Sequence, residues 1–238
     1  MYNLSKSIKR HRIIDYSLTN SDLLLIGKLE IDNRRVITST VKRFFDIAFS
    51  LFVFVFIFSW IFPLIAILIK LSSKGSILFV QDRVGLDNVT FKCYKFRTMK
   101  CEPVKYMYTP TIKGDTRINK VGLFLRKTNL DELPQFINVF RGEMSVVGPR
   151  PHAIAFHKTY ASFINYISQR QLVKPGITGL AQIMGYRGDV EDFEENKKRT
   201  IKRVEYDISY ISKWNHKLDY WIIFMTIRQM LGRQTKGH

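Results

Sequence analysis

The sequence predicts a membrane-anchored domain of mixed α/β class, mainly helical with a few short strands. Three observations lead to this prediction. The chain has 238 residues, of which 46% are hydrophobic, which is enough to bury a core without metal or disulfide staples. Positions 47–69 are 23 consecutive uncharged and mostly apolar residues. After them, turns marked by glycine and proline separate short runs with strand-like or helix-like spacing.

The charge of the chain predicts an anionic partner. Lys and Arg number 38 against 20 Asp and Glu, a formal net charge of +18 at pH 7. The large hydrophobic fraction excludes a disordered polyelectrolyte. Composition alone leaves two partners open, which are nucleic acid and a membrane surface with phosphorylated substrates. Cys93 and Cys101 have neither zinc-site nor disulfide spacing, so we expect a reducing, cytosol-facing environment.

Residues 1–40 carry no recognisable chemistry, and we interpret them as an accessory extension. Residues 41–71 form the membrane segment, because a helix over positions 47–69 is long enough to cross a hydrocarbon core of about 30 Å. Nine Lys/Arg against five acids precede that run and 29 against 15 follow it, so both ends favour the cytoplasmic side.

Pro63 lies inside the apolar run and removes one helical hydrogen bond. We therefore expect a re-entrant, proline-broken helix whose ends lie on the same face of the membrane. A single span with a proline kink is the alternative. Lys42 and Arg43 lie four and three positions before Asp46, so one helical face can pair them at the membrane surface.

Residues 72–238 form the remaining domain. Positions 77–85 and 89–99 predict two strands around a turn at 85–88. Helical spacing of apolar residues follows in 121–142 and in 151–173, and a solvated helix is predicted over 191–203, where acids precede bases by four positions. The apolar stretch at 220–227 is too short to span a bilayer. This stretch could form either an amphipathic helix at the membrane interface or a buried core helix.

Adjacent carboxylates at Asp131 and Glu132 are the strongest candidates for chemistry. Pro134 favours a helix that begins near Asp131, so the helix dipole would keep both groups ionised. One carboxylate could then attack phosphorus while the other holds a divalent cation that bridges to a diphosphate. Helix capping is the alternative, because Thr128 and Asp131 have capping-box spacing and Asp131 could itself be the N-cap.

Two further motifs suit phosphate binding. Arg150 lies between two prolines that orient its guanidinium, whose planar fork matches phosphate oxygens. Thr178 lies between Gly176 and Gly179 in a turn whose backbone N–H groups could cradle an anion. The five histidines show no metal-ligand spacing.

Six segments, taken together and in order, resemble the bacterial sugar transferase family, which comprises monotopic phosphoglycosyl transferases that act on polyprenol phosphate. They extend from about position 41 to 231 and read KRFFD, QDRVG, YKFRTM, FLRKTNLDELPQFINVFRGEMSVVGPRP, VKPGITGLAQIMGYRG and YDISYISKWNHKLDYWIIFMTI. The sequence differs from the family pattern at three positions. Phe62 precedes the proline where the family often has serine, and Lys174 replaces a common arginine. Tyr186 separates Gly185 from Arg187, which are often adjacent in the family.

The resemblance implies transfer of a sugar 1-phosphate from a UDP-sugar to undecaprenyl phosphate, with release of UMP. It implies that Asp131 is the nucleophile of a covalent phosphosugar intermediate and that Glu132 helps to hold Mg²⁺. The residues assigned to substrate or phosphate binding are Arg83, Lys95, Arg97, Arg126, Arg150, Lys174, Thr178 and Arg187.

The expected location is the bacterial inner membrane, with the catalytic domain on its cytoplasmic face. The expected partners are the polyprenol phosphate lipid, the UDP-sugar and the anionic membrane surface, without nucleic acid. A homo-oligomer is left open, as are the sugar and the pathway, which could produce capsule, exopolysaccharide, O-antigen or glycoprotein glycan. A nonenzymatic, basic, membrane-anchored scaffold is the alternative function.

Overall fold

The computed structural model describes residues 39–100, 114–190 and 192–232. The predicted accessory extension therefore lies almost wholly outside the described residues. Within them the protein is mostly helical and has two small sheets, which confirms the mixed, mainly helical class. The α-helices are α1 Thr40–Val53, α2 Ser59–Ser72, α3 Lys120–Thr128, α4 Gln135–Arg141, α5 Ile154–Ala161, α6 Leu180–Ile183, α7 Phe193–Ser212 and α8 His216–Leu231.

The two sheets have two strands each. Strands β1 (Leu78–Val84) and β2 (Thr90–Phe96) confirm the two strands predicted around a turn at 85–88. They are antiparallel, and Asp87 and Asn88 in the turn have positive φ. Strands β3 (Ser145–Val147) and β4 (Gly176–Thr178) pair in parallel. These short strands place loop residues that follow β3 beside residues that precede β4.

Two predicted helices are divided in the structure. The helical pattern over 121–142 forms α3, a 3₁₀ turn at Leu130–Glu132 and α4. Asn129 causes the first break because its left-handed backbone (φ 58°) ends α3. The single helix expected over 151–173 is likewise α5 followed by a 3₁₀ segment at Ile167–Leu172.

The C-terminal elements also differ from their predictions. Helix α7 is solvated mainly in its first half, and most residues from Thr200 to Ile211 are buried. Helix α8 extends well beyond the apolar stretch at 220–227. Its Leu218 and Ile222 enter the main core, whereas Trp221 and Phe224 are exposed. The helix therefore combines a core face with an exposed apolar face.

The apolar segment forms one long helical element from Thr40 to Ser72, which is long and apolar enough to cross a membrane. Pro63 lies inside α2 and does not end it. The predicted break at Pro63 is therefore absent, and the irregularity is a π-helical segment at Phe54–Phe58 instead. Such a segment changes the facing of side chains without ending the helix. We call the whole element Thr40–Ser72 the anchor helix.

Both ends of the anchor helix pack against the rest of the protein. Near its start, Phe45 and Phe49 join the main core with α4, β3, α7 and α8. Near its end, Ile65 and Ile69 are buried in a second cluster with Phe96 of β2 and with α3. The anchor helix is thus held to one body along much of its length.

Helix α3 lies so close to the segment after β2 that Gly122 has no room for a side chain. A Cβ at Gly122 would overlap the backbone of Thr98. Alanine favours a helix by about 1 kcal/mol over glycine. We nevertheless expect Gly122→Ala to lower the free energy of unfolding by about 1–3 kcal/mol, because the helix must shift to relieve the overlap.

Thermal unfolding in detergent checks this expectation. The matched control is Lys120→Ala, which changes an exposed residue of the same helix and should alter stability by less than about 0.5 kcal/mol. A melting temperature of Gly122→Ala equal to or above that of the wild type would contradict the close packing.

Candidate active site

Asp131 and Glu132 lie in the 3₁₀ turn between α3 and α4, and they are only 9% and 5% exposed. The turn arises because Asn129 ends α3 and α4 begins only at Gln135, after Pro134. The cap of α4 receives no side-chain hydrogen bond. The capping interpretation is therefore wrong, and Asp131 and Glu132 are buried without a capping role at this helix.

Three cations surround the Glu132 carboxylate. Arg150 donates to it at 2.6 and 3.2 Å, and Lys95 donates at 3.0 Å. Arg187 forms a third ion pair at 3.0 Å. Burial by itself would raise the pKa of Glu132, but the three charges outweigh burial and hold this pKa well below its usual range. Glu132 is therefore a fixed negative charge that orients the cations.

The Asp131 carboxylate is in a different state. In the described part of the chain, no side chain or backbone group forms a hydrogen bond or ion pair with it. Burial raises the pKa of Asp131, and the negative charge of Glu132 raises it further. The sequence predicted two equivalent ionised carboxylates, whereas the pKa of Glu132 is lowered and that of Asp131 is raised. A more basic carboxylate with free lone pairs is the better nucleophile of the two.

Two further arginines border this pair. Arg126 donates to the Thr98 hydroxyl at 2.8 Å, and its charge acts on Asp131. Arg83 donates to the backbone carbonyl of Pro151 at 2.8 Å, next to Arg150. With the partners of Glu132, these residues make a basic site from five separate parts of the chain. All five of these basic residues were predicted from the sequence.

Three other predicted phosphate-binding residues lie elsewhere. Arg97 donates to the carbonyls of Ser73 and Lys74, where it closes the end of the anchor helix. The Thr178 hydroxyl shares a 2.6 Å hydrogen bond with Thr226, which joins β4 to α8. Lys174 lies near the start of the anchor helix. The structure does not bring these three side chains to the carboxylate pair.

The residues predicted to pair at the membrane surface face the protein interior instead. Lys42 donates to Asp219 at 2.6 Å, and Arg43 donates to the carbonyls of Val139 and Phe140. Asp46 accepts hydrogen bonds from the Ser145 hydroxyl and the Val146 N–H.

The predicted pairing of Lys42 and Arg43 with Asp46 is thus replaced by contacts with the main domain. This difference arises because the first turns of the anchor helix are packed against β3 and α8 rather than exposed to water. The three residues fix the anchor helix to the protein.

A buried ion pair behind Arg150 was missed by sequence analysis. Arg170 donates to Asp207 at 2.7 Å and to the carbonyl of Arg150 at 2.8 Å. It also contacts His152 Nδ1 at 2.8 Å. One signal was available, since Asp207 lies on the same face of α7 as the apolar residues Val204 and Ile211. A charge on a buried helix face requires a partner.

His152 makes stability depend on pH. Burial, and then the charge of Arg170, lower the pKa of His152 well below its usual value of 6.5. Between these two pKa values the unfolded chain binds a proton that the folded chain does not, so stability falls as pH decreases below about 6.5.

We expect His152→Asn to reduce the dependence of the free energy of unfolding on pH. Denaturant unfolding curves at pH 7.5, 6.5 and 5.5 measure it (about one unit apart, to bracket the free histidine pKa). His157, whose pKa is also lowered by burial, keeps the remainder. A slope unchanged by the substitution would remove His152 from this role. His216→Asn on α8 is the matched control.

A divalent cation would have few protein ligands here. The residues described by the structure contain no group of three or more His, Cys, Asp or Glu that could hold a metal. Mg²⁺, however, is usually held by one or two carboxylates together with substrate phosphates. The unpaired carboxylate of Asp131 fits this donor set, and Glu132 fits it once substrate phosphates attract its arginines.

The chain matches a known protein family over most of its length. A model of the bacterial sugar transferase family matches residues 37–233, which include the whole site described above. The chain belongs to the bacterial sugar transferase family. The resemblance of the six sequence segments is thereby confirmed.

Three relatives illustrate the match within this family. The UDP-glucose:undecaprenyl-phosphate glucose-1-phosphate transferase of Escherichia coli (strain K12) is 48% identical over 68% of this chain and 34% of that protein. The protein of the same name from Xanthomonas campestris pv. campestris is 40% identical over 94% of this chain and 47% of that protein.

The exopolysaccharide production protein PSS of Rhizobium leguminosarum bv. phaseoli is 39% identical over 81% of this chain and 96% of that protein. The chain thus spans about a third to a half of the two larger relatives and matches nearly all of the smaller one.

Proposed function

We propose that the protein transfers a sugar 1-phosphate from a UDP-sugar to undecaprenyl phosphate and releases UMP. One observation carries the proposal, which is the contrast between an unpaired, buried Asp131 and a Glu132 held by three cations. The names of the relatives support the two substrates. A nonenzymatic scaffold would not require a buried carboxylate without a partner.

In the proposed mechanism, Asp131 attacks the phosphorus atom that carries the sugar. The new bond joins an Asp131 carboxylate oxygen to this phosphorus, and the bond to the bridging oxygen breaks so that UMP leaves with the electron pair. An oxygen of undecaprenyl phosphate then attacks the same phosphorus and frees Asp131. One displacement is divided into two, which predicts ping-pong kinetics.

The cations around Glu132 are suited to stabilising this transfer. Arg150 and Arg187 are already oriented toward one point by the Glu132 carboxylate, so little reorganisation is needed when a diphosphate enters. Lys95, Arg83 and Arg126 add positive charge at the same site. We infer that the diphosphate takes over part of the arginine contacts that Glu132 has in the free protein.

We propose Mg²⁺ as the cofactor, held by Asp131 and Glu132 together with the phosphates of the donor. When bound, it would neutralise charge on the diphosphate and on the departing UMP. The residues themselves bind the donor, orient it and supply the nucleophile. Removal of divalent cations with EDTA should abolish turnover, and Mg²⁺ should restore it.

We also propose that the protein is monotopic and lies on the cytoplasmic face of the inner membrane. The support is the anchor helix, whose two ends both pack against the same body. A helix that crosses the bilayer would carry its far end away from that body. We therefore propose a re-entrant path, in which residues 41–71 enter and leave on one side.

Exposed apolar residues on the anchor helix and on α8 form a surface suited to face the membrane. On the anchor helix, Phe52, Phe56 and Trp60 are at least half exposed, and on α8 Phe224 is 61% exposed. Phe45 of the anchor helix is in ring contact with Tyr220 of α8, so the two helices meet near their starts. Aromatic residues of this kind are typical of membrane interfaces.

The decisive experiment measures the nucleotide product. Purified protein with Mg²⁺, undecaprenyl phosphate and a panel of UDP-sugars should release UMP, and UDP-glucose is the first donor to test because of the names of the relatives. Release of UDP would contradict the transfer of a phosphosugar. The name of PSS makes exopolysaccharide assembly the first pathway to test.

The re-entrant path has its own test. Cysteine labelling of the segment before Thr40 in intact cells should show no access from the periplasm. Labelling from that side would establish a single span.

A further inference from the structure

A cleft at the start of the anchor helix contains a cation without a partner. The cleft is open to solvent and lies between α1, β3 and the segment before β4. Lys174 lines it, and within the described residues no hydrogen bond or ion pair reaches the Lys174 ammonium. An unpaired and partly buried ammonium is costly unless an anion compensates it.

Arg43 faces the same point as Lys174. If a Cβ were present on Gly142, it would lie 3.4 Å from the Arg43 guanidinium nitrogen Nη2 and 3.5 Å from the Lys174 ammonium nitrogen. Arg43 is oriented by the carbonyls of Val139 and Phe140 and not by an acid. One anion beside Gly142 could therefore contact both cations.

The charges around the cleft leave a positive surplus. Lys42 is neutralised by Asp219, and Asp46 is the acid that remains to offset Arg43 and Lys174. Burial, and then repulsion by Arg43, lower the pKa of Lys174. An anion would relieve both effects.

The cleft is separate from the carboxylate pair. The charges that act on Lys174 are those of Arg43 and Asp46. Those that act on Glu132 are Arg150, Lys95 and Arg187.

We propose that this cleft binds the phosphate of an anionic phospholipid headgroup. Arg43 is one turn before the apolar positions 47–69, so the cleft would lie at the depth of the headgroups. Arginine supplies a fork and lysine a point charge for phosphate oxygens. The proposal rests on the proposed membrane anchoring but not on the proposed chemistry. Its occupant is a lipid that the protein does not consume.

Binding of short-chain phosphatidylglycerol to the protein in neutral detergent tests the proposal, with short-chain phosphatidylcholine as the zwitterionic reference. We expect Lys174→Gln to weaken phosphatidylglycerol binding about tenfold, the effect of losing one charged hydrogen bond. Lys174→Arg should retain it. Lys198→Gln, which removes the same charge from the exposed face of α7, should bind like the wild type. Equal binding by Lys174→Gln and wild type would overturn the site.

A second pair of variants does not depend on Lys174. Gly142 has φ +84°, a conformation that Asp and Asn tolerate better than most residues. Gly142→Asp would place a carboxylate beside both cations and displace the lipid, whereas Gly142→Asn has the same shape without the charge. Weaker phosphatidylglycerol binding by Gly142→Asp than by Gly142→Asn is the expected result, and equal binding would contradict the proposal.

The source of the phosphate is decided in the same assay. Inorganic phosphate that binds as tightly as phosphatidylglycerol would overturn the assignment to a lipid. The measurements are repeated in Asp131→Asn, where unchanged lipid binding is expected because the cleft does not take part in turnover. Vesicle flotation reports membrane anchoring independently, so a failure of the anchor is distinguishable from a failure of the cleft.

Discussion

Asp131→Asn should reduce UMP release by about a thousandfold or more, the loss typical of removing a nucleophile. The amide has nearly the shape of the carboxylate but cannot attack phosphorus. Asp131 has no hydrogen bond or ion pair among the described residues, so its replacement breaks no contact. Because burial raises the pKa of Asp131, the neutral amide should keep or increase the melting temperature.

The covalent step can be observed directly. Wild-type protein incubated with a donor labelled in the phosphate next to the sugar, without undecaprenyl phosphate, should retain one label per molecule and release a burst of UMP. Asp131→Asn should do neither. Asp82→Asn, an exposed carboxylate on β1, is the control and should behave like the wild type. Substantial turnover by Asp131→Asn would exclude the residue as nucleophile.

Arg170→Met should lower the free energy of unfolding by about 3–5 kcal/mol, because it leaves the buried carboxylate of Asp207 without its partner. The side chains of the pair are only 1% and 2% exposed, so water cannot replace the lost contact. Denaturant unfolding in detergent measures the change. Arg228→Met on the last turn of α8 is the control and should have little effect.

The double variant Arg170→Met/Asp207→Leu distinguishes an unpaired charge from a general packing defect. It removes both charges, and we expect it to recover most of the lost stability. We expect the double variant to have low activity and a raised KM for the donor. Without Arg170, the carbonyl of Arg150 loses the hydrogen bond that positions Arg150 beside Glu132. A double variant as unstable as Arg170→Met would contradict the ion-pair explanation.

The sequence predicted most residues of the candidate active site because the relevant signals are local. Asp131 and Glu132 are adjacent, and Arg150 is flanked by prolines, so composition over a few positions was informative. The strands around Gly85–Asn88 were predicted for the same reason, since alternation and turn residues are short-range patterns.

Residues that depend on distant partners were not predictable in this way. Arg97 matched a motif, yet it closes the end of the anchor helix through carbonyls more than 20 positions earlier. Lys42 and Asp46 have the spacing of an ion pair, yet each has a partner about 100 or more positions away. Spacing along a helix describes which residues share a face, not what that face contacts.

By itself, the sequence determined the mixed helical class, the apolar segment, the carboxylate pair and the abundance of basic residues. Tertiary structure decided which of those basic residues surround Glu132, which hold the anchor helix, and which lie at the cleft beside Gly142. It also decided that the two carboxylates differ in pKa. The physical reason is that a pKa and an ion pair depend on burial and on charges from distant parts of the chain, and only folding brings these together.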